Sequence, residues 1–284
     1  LYKGLFLTRY LKFINRFATD GTILIDGATG TEAERRGVPQ LKNAWNGGGA
    51  LSHPDIIRQI HLDYIGCGAE IIISNTFATN KHALSDAGED HLFEEYNSKA
   101  VQLAIEAREL AKKDDILVAG GISYWRWPEG LPDKEQLYSD ISEQAKIMAT
   151  SGADLIMLEM MSDLEFTLIT LRAAQTAGLP VWVGLSCKKN DKDQICLLMS
   201  DMLLADALSE LKKENEALKI KLTNNLPDPE KEKEKLINID TSSLSSFTSS
   251  VGKSFMNIAK EVPKRIDEVA ADPKRRKNFI RGLQ

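Results

Sequence analysis

The sequence predicts an α/β fold with a parallel sheet, and three observations support this class. Short apolar runs alternate with segments of helical periodicity from residue 22 to about residue 186. Strands that alternate with helices form right-handed βαβ units, which build parallel sheets. The chain has 284 residues and a hydrophobic content of 43%, which is enough for a sizeable core. We therefore expect five βα units, followed by an all-helical C-terminal extension.

Five strands are predicted in this part of the chain, because short aliphatic runs there are bounded by turn residues. They cover residues 22–26, 70–74, 116–120, 154–159 and 181–186. The helices predicted between them cover residues 55–66, 94–112, 134–151 and 163–177. His53 and Pro54 mark the start of the first of these helices. Gly178 and Pro180 mark the end of the last one.

Beyond residue 206 the alternation stops and a heptad pattern predicts one long helix. Its a and d positions carry Leu204, Leu208, Leu211, Asn215, Leu218 and Leu222. A single Asn at an a position is typical of parallel two-stranded coiled coils, so one expectation is a homodimer through these residues. The alternative is a lone amphipathic helix that packs on the α/β domain, and the pattern supports it equally.

Composition divides the chain into four parts. They are a lead-in segment at 1–20, the α/β part at 21–200, the heptad helix at 201–223, and a linker with a basic helical tail at 224–284. The Lys/Arg run at 274–277 fits contact with nucleic acid or acidic lipid, but it is more typical of a solvated helix end. No nucleic-acid partner is expected.

Three cysteines without regular spacing argue against a disulfide framework and favour a reducing compartment, so we expect a cytoplasmic protein. No apolar run reaches the roughly 18–20 residues that a membrane span needs. Residues 1–13 are basic and amphipathic, which is more typical of a lead-in helix than of a targeting segment. The first residue is Leu rather than Met, which favours a fragment.

The most informative motif is ILIDGATGTE at residues 23–32, where an apolar strand leads into an acid, two glycines and hydroxyls. Gly27, Gly30 and Ala33 loosely fit the dinucleotide-binding fingerprint. That fingerprint requires a second strand ending in an acid about 20 residues later, whereas a Gly-rich loop follows here. Asp26 would also repel a pyrophosphate. The motif therefore favours capture of another kind of ligand.

The block at 26–32 resembles the opening motif of the homocysteine S-methyltransferases. Later blocks resemble the same family in the same order, at 64–72, 74–77, 118–123 and 152–159. The resemblance implies a (β/α)₈ TIM-type barrel with its active residues at the carboxyl ends of the strands. It covers residues 20–187 and only five of the eight strands, so we expect an incomplete barrel. Three alternatives follow from an incomplete barrel. The chain is a truncated or fused product, or a partner chain completes the barrel, or the C-terminal helices cover the open edge of the sheet.

The resemblance implies that Asp26 and Glu159 hold the ammonium group of homocysteine, and that Asn75 and Thr76 line the pocket or donate hydrogen bonds. Two carboxylates at one mouth of a parallel sheet also attract a cation on physical grounds. Structural alternatives are a helix N-cap for Asp26, a salt bridge for Glu159 and turn chemistry for the other two.

The family uses Zn²⁺ held by three cysteine thiolates to bind the substrate sulfur, because a neutral thiol is a poor nucleophile. In the family these cysteines stand in an Asn-Cys block after the sixth strand and in a Gly-Gly-Cys-Cys block near the C-terminus, and neither block occurs here. Cys187 is a weak metal candidate, together with Cys196. Cys67 fits a small buried hydrophobe. Zinc is thus expected for the family, while its ligands are missing from this chain.

These observations predict a homocysteine S-methyltransferase-like protein that transfers a methyl group from a small donor to the thiol of homocysteine, giving methionine. No catalytic residue is assigned, and activity is open because the zinc motifs are absent. The alternative is a non-catalytic amino-acid-binding or assembly protein that dimerises through the heptad helix. Trp125 and Trp127 follow the third strand and fit either a lid or a packing loop.

Overall fold

The computed structural model describes residues 9–16, 22–124 and 133–224. The predicted lid residues, Trp125 and Trp127, lie outside these ranges. So do the predicted linker and basic tail beyond the heptad helix. The sequence interpretations of those segments therefore stay predictions.

Two compact units divide the chain. The first comprises Leu1–Phe13 and Ile23–Asn224, and it contains nearly every described residue. The second comprises Ile14–Thr22 and Asn225–Gln284, and it lies almost entirely outside the described ranges. Sheet, core and candidate site all belong to the first unit.

A parallel sheet forms the centre of the first unit, as the sequence predicts. Its four strands are β1 (Ile71–Ile73), β2 (Leu117–Ile122), β3 (Leu155–Met161) and β4 (Val181–Leu185), hydrogen-bonded in that order. All three pairings are parallel, with Ile72 opposite Val118 and Gly120 opposite Ile156. The sheet positions the carboxyl ends of its strands at one edge, where parallel α/β folds place ligands.

The predicted strand at 22–26 is shorter than expected. It forms a single parallel bridge, between Ile25 and Ile71. The Asp26 N–H donates to the Ile71 carbonyl at 3.0 Å, and the Glu70 N–H donates to the Leu24 carbonyl at 2.7 Å. The segment therefore lies beside β1 at the edge of the sheet, and Leu24 is 51% exposed there. Its hydrogen bonds nevertheless fix Asp26 beside the end of β1.

Helices flank the sheet, and the four predicted ones are found within two residues of their expected ends. The helices are α1 (9–16), α2 (Thr29–Arg35), α3 (Gly49–Ser52), α4 (Pro54–Gly66), α5 (Lys81–Ala87), α6 (Phe93–Leu110), α7 (Lys134–Thr150), α8 (Leu164–Gln175) and α9 (Leu204–Asn224). Short 3₁₀ segments cover Lys42–Gly48 and Asp90–Leu92. Asp133 and Asp163 cap α7 and α8 by accepting hydrogen bonds from first-turn N–H groups.

The main core lies between the sheet and helices α6, α7 and α8. Strand β2 is buried along its whole length, as expected for a parallel strand covered on both faces. Val118 and Ile156 from the strands pack in one cluster with Val101, Met148 and Leu171 from the helices. These helices cover the face of the sheet, and the carboxyl ends of the strands stay available for a site.

A buried ion-pair network closes the opposite, amino end of the sheet. The Asp154 carboxylate is fully buried and binds two guanidinium groups, from Arg9 on α1 at 2.5 Å and from Arg108 on α6 at 2.7 Å. It also accepts the Val118 N–H at 2.8 Å. The attraction of Asp154 for both guanidinium groups offsets part of the cost of desolvating these charges, and the network ties Arg9 of α1 and Arg108 of α6 to the sheet.

Between β4 and the heptad helix the structure contains an antiparallel hairpin that the sequence interpretation missed. Its strands are β5 (Cys187–Lys189) and β6 (Ile195–Leu197). Each strand has three residues and the hairpin is mostly polar, so it contains no apolar alternation long enough to predict a strand. The Met199 N–H donates to the Ser162 carbonyl at 2.9 Å, which joins the hairpin to the end of β3.

Helix α9 starts close to the predicted boundary and packs against other elements of the first unit. Ala207 is fully buried, and Leu211 contacts the main core. Glu214 forms a bidentate ion pair with Arg172 of α8. Leu208 remains 42% exposed. These contacts favour the packed amphipathic helix, while the side chains of Leu218 and Leu222 lie outside the described part. Within the described ranges, no helix combines the length and apolar character that a membrane span requires.

Candidate functional site

A cavity of about 450 Å³ opens at the carboxyl ends of the strands. Its walls come from the loop after residue 26, the 3₁₀ segment around Trp45, the end of β1 with its following loop, and Glu159 near the end of β3. This is the edge where parallel α/β folds bind their ligands, since loops from several strands converge there. The cavity is therefore the first place to look for function.

Asp26 stands directly before the cavity-lining residue Gly27 and is 9% exposed. Its Oδ2 accepts the Ile73 N–H at 2.8 Å. Its Oδ1 is buried and has no hydrogen-bond partner within the described residues. Desolvation by burial raises the pKa of Asp26 to about 7, and the backbone hydrogen bond from Ile73 offsets only part of that rise. A buried carboxyl with an open acceptor is suited to a positively charged partner.

Glu159 reaches the cavity from a β-bulge in β3. Leu158 pairs with Val183 and Met161 with Leu185, so Glu159 and Met160 together face one residue of β4. Burial raises the pKa of Glu159 to about 8, and the charge of Asp26 adds to the rise. The charge of Asp26 therefore disfavours ionisation of Glu159.

Gly121 gives the Glu159 carboxyl its space. A Cβ atom at position 121 would collide with the Glu159 carboxyl and would lie 2.8 Å from Ile73 Cγ2. Any larger residue here would push the glutamate out of its place. The sequence interpretation did not single out Gly121, although a glycine pair at a strand end is a signal of close approach.

Asn75 and Thr76 have different positions at the site. Asn75 lines the cavity, and its Nδ2 donates to the Asn46 carbonyl at 2.8 Å. Thr76 is fully buried behind the wall, and its hydroxyl donates to the Gly121 carbonyl at 2.7 Å. Thr76 thus joins the ends of β1 and β2, whereas Asn75 faces the space that a ligand would fill.

An aromatic pair forms another wall of the cavity. The Trp45 and Phe77 rings stack with their centroids 5.7 Å apart and an interplanar angle of 14°. Trp45 has a φ of 46°, in the left-handed region that a bulky residue adopts only under constraint. The sequence interpretation gave Trp45 and Phe77 no site role, because only the tertiary fold brings them together.

The described cavity lining contains acids and no Lys or Arg; its charged residues are Glu34 and Glu159. With Asp26 just behind the surface, the site is electronegative. It therefore favours a cationic ligand over a phosphate or a dinucleotide. This agrees with the sequence argument against a dinucleotide-binding turn.

Comparison with known proteins decides the family. The family model described as homocysteine S-methyltransferase matches residues 23–256. The chain belongs to the homocysteine S-methyltransferase family. Homocysteine S-methyltransferase 3 of Zea mays is 28% identical over 214 residues, which cover 66% of this chain and 61% of the maize protein. Betaine–homocysteine S-methyltransferase 1 of Danio rerio is 25% identical over 170 residues, covering 59% of this chain and 42% of the fish protein. This chain thus spans about three fifths or less of these relatives.

The fold agrees with that family. The metallated form of the homocysteine methyltransferase MmuM from Escherichia coli superposes with a TM-score of 0.60 at 22% identity, covering 70% of this chain and 73% of MmuM. At this identity the likeness shows only the fold, which is α/β with a parallel sheet. This agrees with the TIM-barrel type of fold that the sequence resemblance implies. The substrates and activity of this chain are separate questions.

The cysteines of the chain do not fit a three-thiolate zinc site. Cys187 and Cys196 occupy adjacent rows of the β5–β6 hairpin, opposite Leu197 and Lys188, so their side chains lie on opposite faces. Cys187 is exposed, and the buried Cys196 thiol is directed at the Lys188 carbonyl. Cys67 lies before β1, at the other end of the sheet, and it is exposed, so the expectation of a buried residue there is wrong. No cluster of three His, Cys, Asp or Glu side chains suited to a metal occurs within the described ranges.

Proposed function

We propose that the chain binds homocysteine in the cavity and acts as a homocysteine S-methyltransferase, giving methionine. The observation that carries this proposal is that buried Asp26, whose Oδ1 has no described hydrogen-bond partner, and half-buried Glu159 act at a cavity whose described lining contains no Lys or Arg. The proposed reaction, methyl transfer to homocysteine, follows from membership of the family. The proposed binding of an amino acid is supported by the acidic residues at the cavity.

An ammonium group in the cavity would stabilise the ionised forms of Asp26 and Glu159. Near pH 7 burial leaves Asp26 partly protonated and Glu159 mostly protonated, because their pKa values are raised to about 7 and about 8. A bound ammonium places a positive charge beside Asp26 Oδ1 and Glu159, so that both carboxyls ionise and form charge-assisted hydrogen bonds. We propose that Asn75 contacts the bound amino acid from the cavity wall, while Thr76 fixes that wall.

The proposed transfer breaks the bond between donor and methyl group, forms a sulfur–carbon bond and releases the thiol proton. The stacked Trp45 and Phe77 rings favour a donor whose methyl carries positive charge, because aromatic faces attract such groups. Among the relatives, one is named for betaine and another for S-methylmethionine. In both donors the methyl group is attached to a positively charged nitrogen or sulfur, and this wall suits either. The described cysteines do not fit the zinc centre expected for the family, so we assign no thiol-activating residue.

A matched pair of ligands tests the binding proposal. Homocysteine and 4-mercaptobutanoate share a thiol and a carboxylate, but only homocysteine has an ammonium group. Calorimetry at pH 7.5 should detect homocysteine binding and at least tenfold weaker binding of 4-mercaptobutanoate. Asp26→Asn and Glu159→Gln should each weaken homocysteine binding by about 3 kcal/mol, because a charge pair loses one partner. Glu34→Gln removes an exposed cavity acid and serves as the control. Equal affinity for both ligands would contradict the proposal.

The second candidate is a non-catalytic binding or assembly protein that dimerises through α9. It is favoured by the cysteine geometry and by the exposure of Leu208 at a heptad position. Leu208→Glu should convert a dimer to a monomer in sedimentation if α9 pairs, whereas Leu211→Glu would also disturb core packing. An unchanged mass rejects pairing. One tightly bound zinc per chain in metal analysis would reject the non-catalytic alternative.

The remaining organisation is proposed on sequence grounds. We propose that 1–20 is a lead-in segment, 21–200 an incomplete barrel that carries the pocket, and 201–223 the heptad helix, with 224–284 as linker and tail. Residues 67, 187 and 196 are free cysteines, which supports a reducing compartment such as the cytoplasm.

A further inference from the structure

The backbone around Glu159 adopts a conformation that needs outside support. Glu159 and Met160 bulge out of the β3–β4 ladder, and Met160 has a φ of 58°. This left-handed conformation is unfavourable for a residue with a side chain, so neighbouring contacts must hold it. A slip of one residue in the strand would turn Glu159 away from the cavity, because side chains alternate between the two faces.

Tyr124 supplies contacts immediately after the bulge. Its hydroxyl accepts the Ser162 N–H at 2.7 Å and the Asp163 N–H at 3.1 Å. The same hydroxyl donates to Asp163 Oδ2 at 3.0 Å. Its ring is buried, 8% exposed, and packs against Phe166 at a centroid distance of 6.0 Å. One side chain from the end of β2 therefore satisfies two consecutive backbone donors three and four residues beyond Glu159.

We propose that Tyr124 is a positioning residue that holds the β3 bulge and thereby keeps Glu159 in the cavity wall. The proposal deepens the proposed function, because it names what orients one of the two ligand-binding acids. Upstream of the bulge, Leu158 is fixed by its pairing with Val183. Downstream, the Met161 carbonyl accepts the Ser186 N–H at 2.9 Å, and the Tyr124 hydroxyl fixes the next two residues.

A purely structural role for Tyr124 predicts a different outcome. Asp163 already caps α8, since its Oδ1 accepts the Phe166 N–H at 2.9 Å. If Tyr124 only stabilised that helix start, losing its hydroxyl would lower stability and leave the surroundings of Glu159 unchanged. If it positions the bulge, Glu159 would become more exposed to water. The charge of Asp26, which faces Glu159, would then be screened by water and would raise the pKa of Glu159 less.

Tyr124→Phe in the full chain tests the proposal, because phenylalanine keeps the ring and removes the hydroxyl. The Glu159 side chain is followed by ¹³C NMR of glutamate-labelled protein, with its signal assigned by subtraction in Glu159→Gln. In the wild type Glu159 should titrate with a pKa of about 8. In Tyr124→Phe that pKa should fall by about one unit or more, since solvation favours the ionised form. Homocysteine binding should weaken about tenfold.

Tyr96→Phe is the matched control, because it removes a tyrosine hydroxyl that donates to Glu89 at 3.0 Å, away from the cavity. It should change neither the Glu159 titration nor homocysteine binding. An unchanged Glu159 titration in a folded Tyr124→Phe variant overturns the positioning role, even if stability falls. If Tyr124→Phe does not fold, Asp163→Asn keeps the helix cap and weakens the same contact. It should then lower the Glu159 pKa by a smaller amount, and no change would overturn the proposal.

The titration also separates this inference from the proposed function. A wild-type protein that fails to bind homocysteine contradicts the proposed function, yet Tyr124→Phe still moves the Glu159 titration if the bulge depends on Tyr124. A wild-type protein that binds homocysteine, with a Tyr124→Phe variant unchanged in both measurements, contradicts only the positioning role.

Discussion

The ligand-free protein should lose stability as the pH rises from 5 to 8. Asp26 and Glu159 have pKa values raised by burial to about 7 and about 8. The folded state therefore keeps protons that the unfolded chain releases near its ordinary carboxyl pKa. Stability from this source is fully present below pH 4 and is lost as the pH rises through the folded pKa values.

His61 acts in the opposite direction. Its ring is fully buried, neither nitrogen has a hydrogen-bond partner in the described structure, and burial lowers its pKa to about 4. Its contribution is therefore lost as the pH falls below its ordinary value near 6.5. Between pH 5 and 8 we expect Asp26 to remove about 3 kcal/mol of stability, Glu159 to remove about 4 kcal/mol and His61 to add about 2 kcal/mol. The net expectation is a fall of about 5 kcal/mol.

Urea unfolding followed by tryptophan fluorescence at several pH values measures this fall, provided that the m-value stays constant. The Asp26→Asn and Glu159→Gln double variant should lose the decline and keep only the rise from His61 below about pH 6.5. Glu34→Gln, which alters an exposed cavity acid, should follow the wild type. A wild-type free energy of unfolding that rises steadily from pH 5 to 8 would refute the argument. So would a double variant that declines as steeply as the wild type.

Two further substitutions test the packing that supports the site. Gly121→Ala should cost about 2 kcal/mol in urea unfolding because its Cβ would lie 2.8 Å from Ile73 Cγ2 and would also displace the end of the Glu159 side chain. Gly66→Ala should be nearly neutral, since no atom lies within 4 Å of its Cβ position, and equal costs for the two would contradict the collision. Asp154→Asn should cost about 3 kcal/mol by leaving a buried guanidinium unpaired. Asp193→Asn, in an exposed ion pair, should cost less than about 1 kcal/mol.

Sequence reasoning predicted the features that depend on local periodicity. The alternation of apolar runs with helical segments gave the parallel sheet, and the helix bounds followed from caps and proline signals. The same alternation placed Asp26, Asn75 and Glu159 at strand ends. Since the carboxyl ends of parallel strands share one edge, the three were expected to meet; in the structure Asn75 and Glu159 line the cavity, and Asp26 directly precedes the lining residue Gly27.

Features that depend on pairing between distant segments were not predictable. The bulge that directs Glu159 inward exists only in the register between β3 and β4, and neither strand encodes it alone. The same holds for the stacking of Trp45 on Phe77, two residues separated by α3, α4 and β1. Thr76 shows that a position at a strand end does not by itself decide where a side chain is directed. Its position at a strand end suggested a pocket residue, but tertiary contacts direct its hydroxyl to the Gly121 carbonyl.

Proton binding links the stability of this site to its proposed ligand. An empty cavity holds Asp26 and Glu159 largely protonated below pH 7, and ionising them costs folding free energy. A ligand ammonium supplies the positive charge that a proton otherwise supplies, so binding releases protons and recovers that cost. Affinity for an amino acid should therefore increase as the pH rises through 7 to 8, over the same range in which the empty protein weakens. Structural stability alone does not explain two carboxyls at a cavity whose described lining contains no cation, because apolar residues of similar volume would be more stable there.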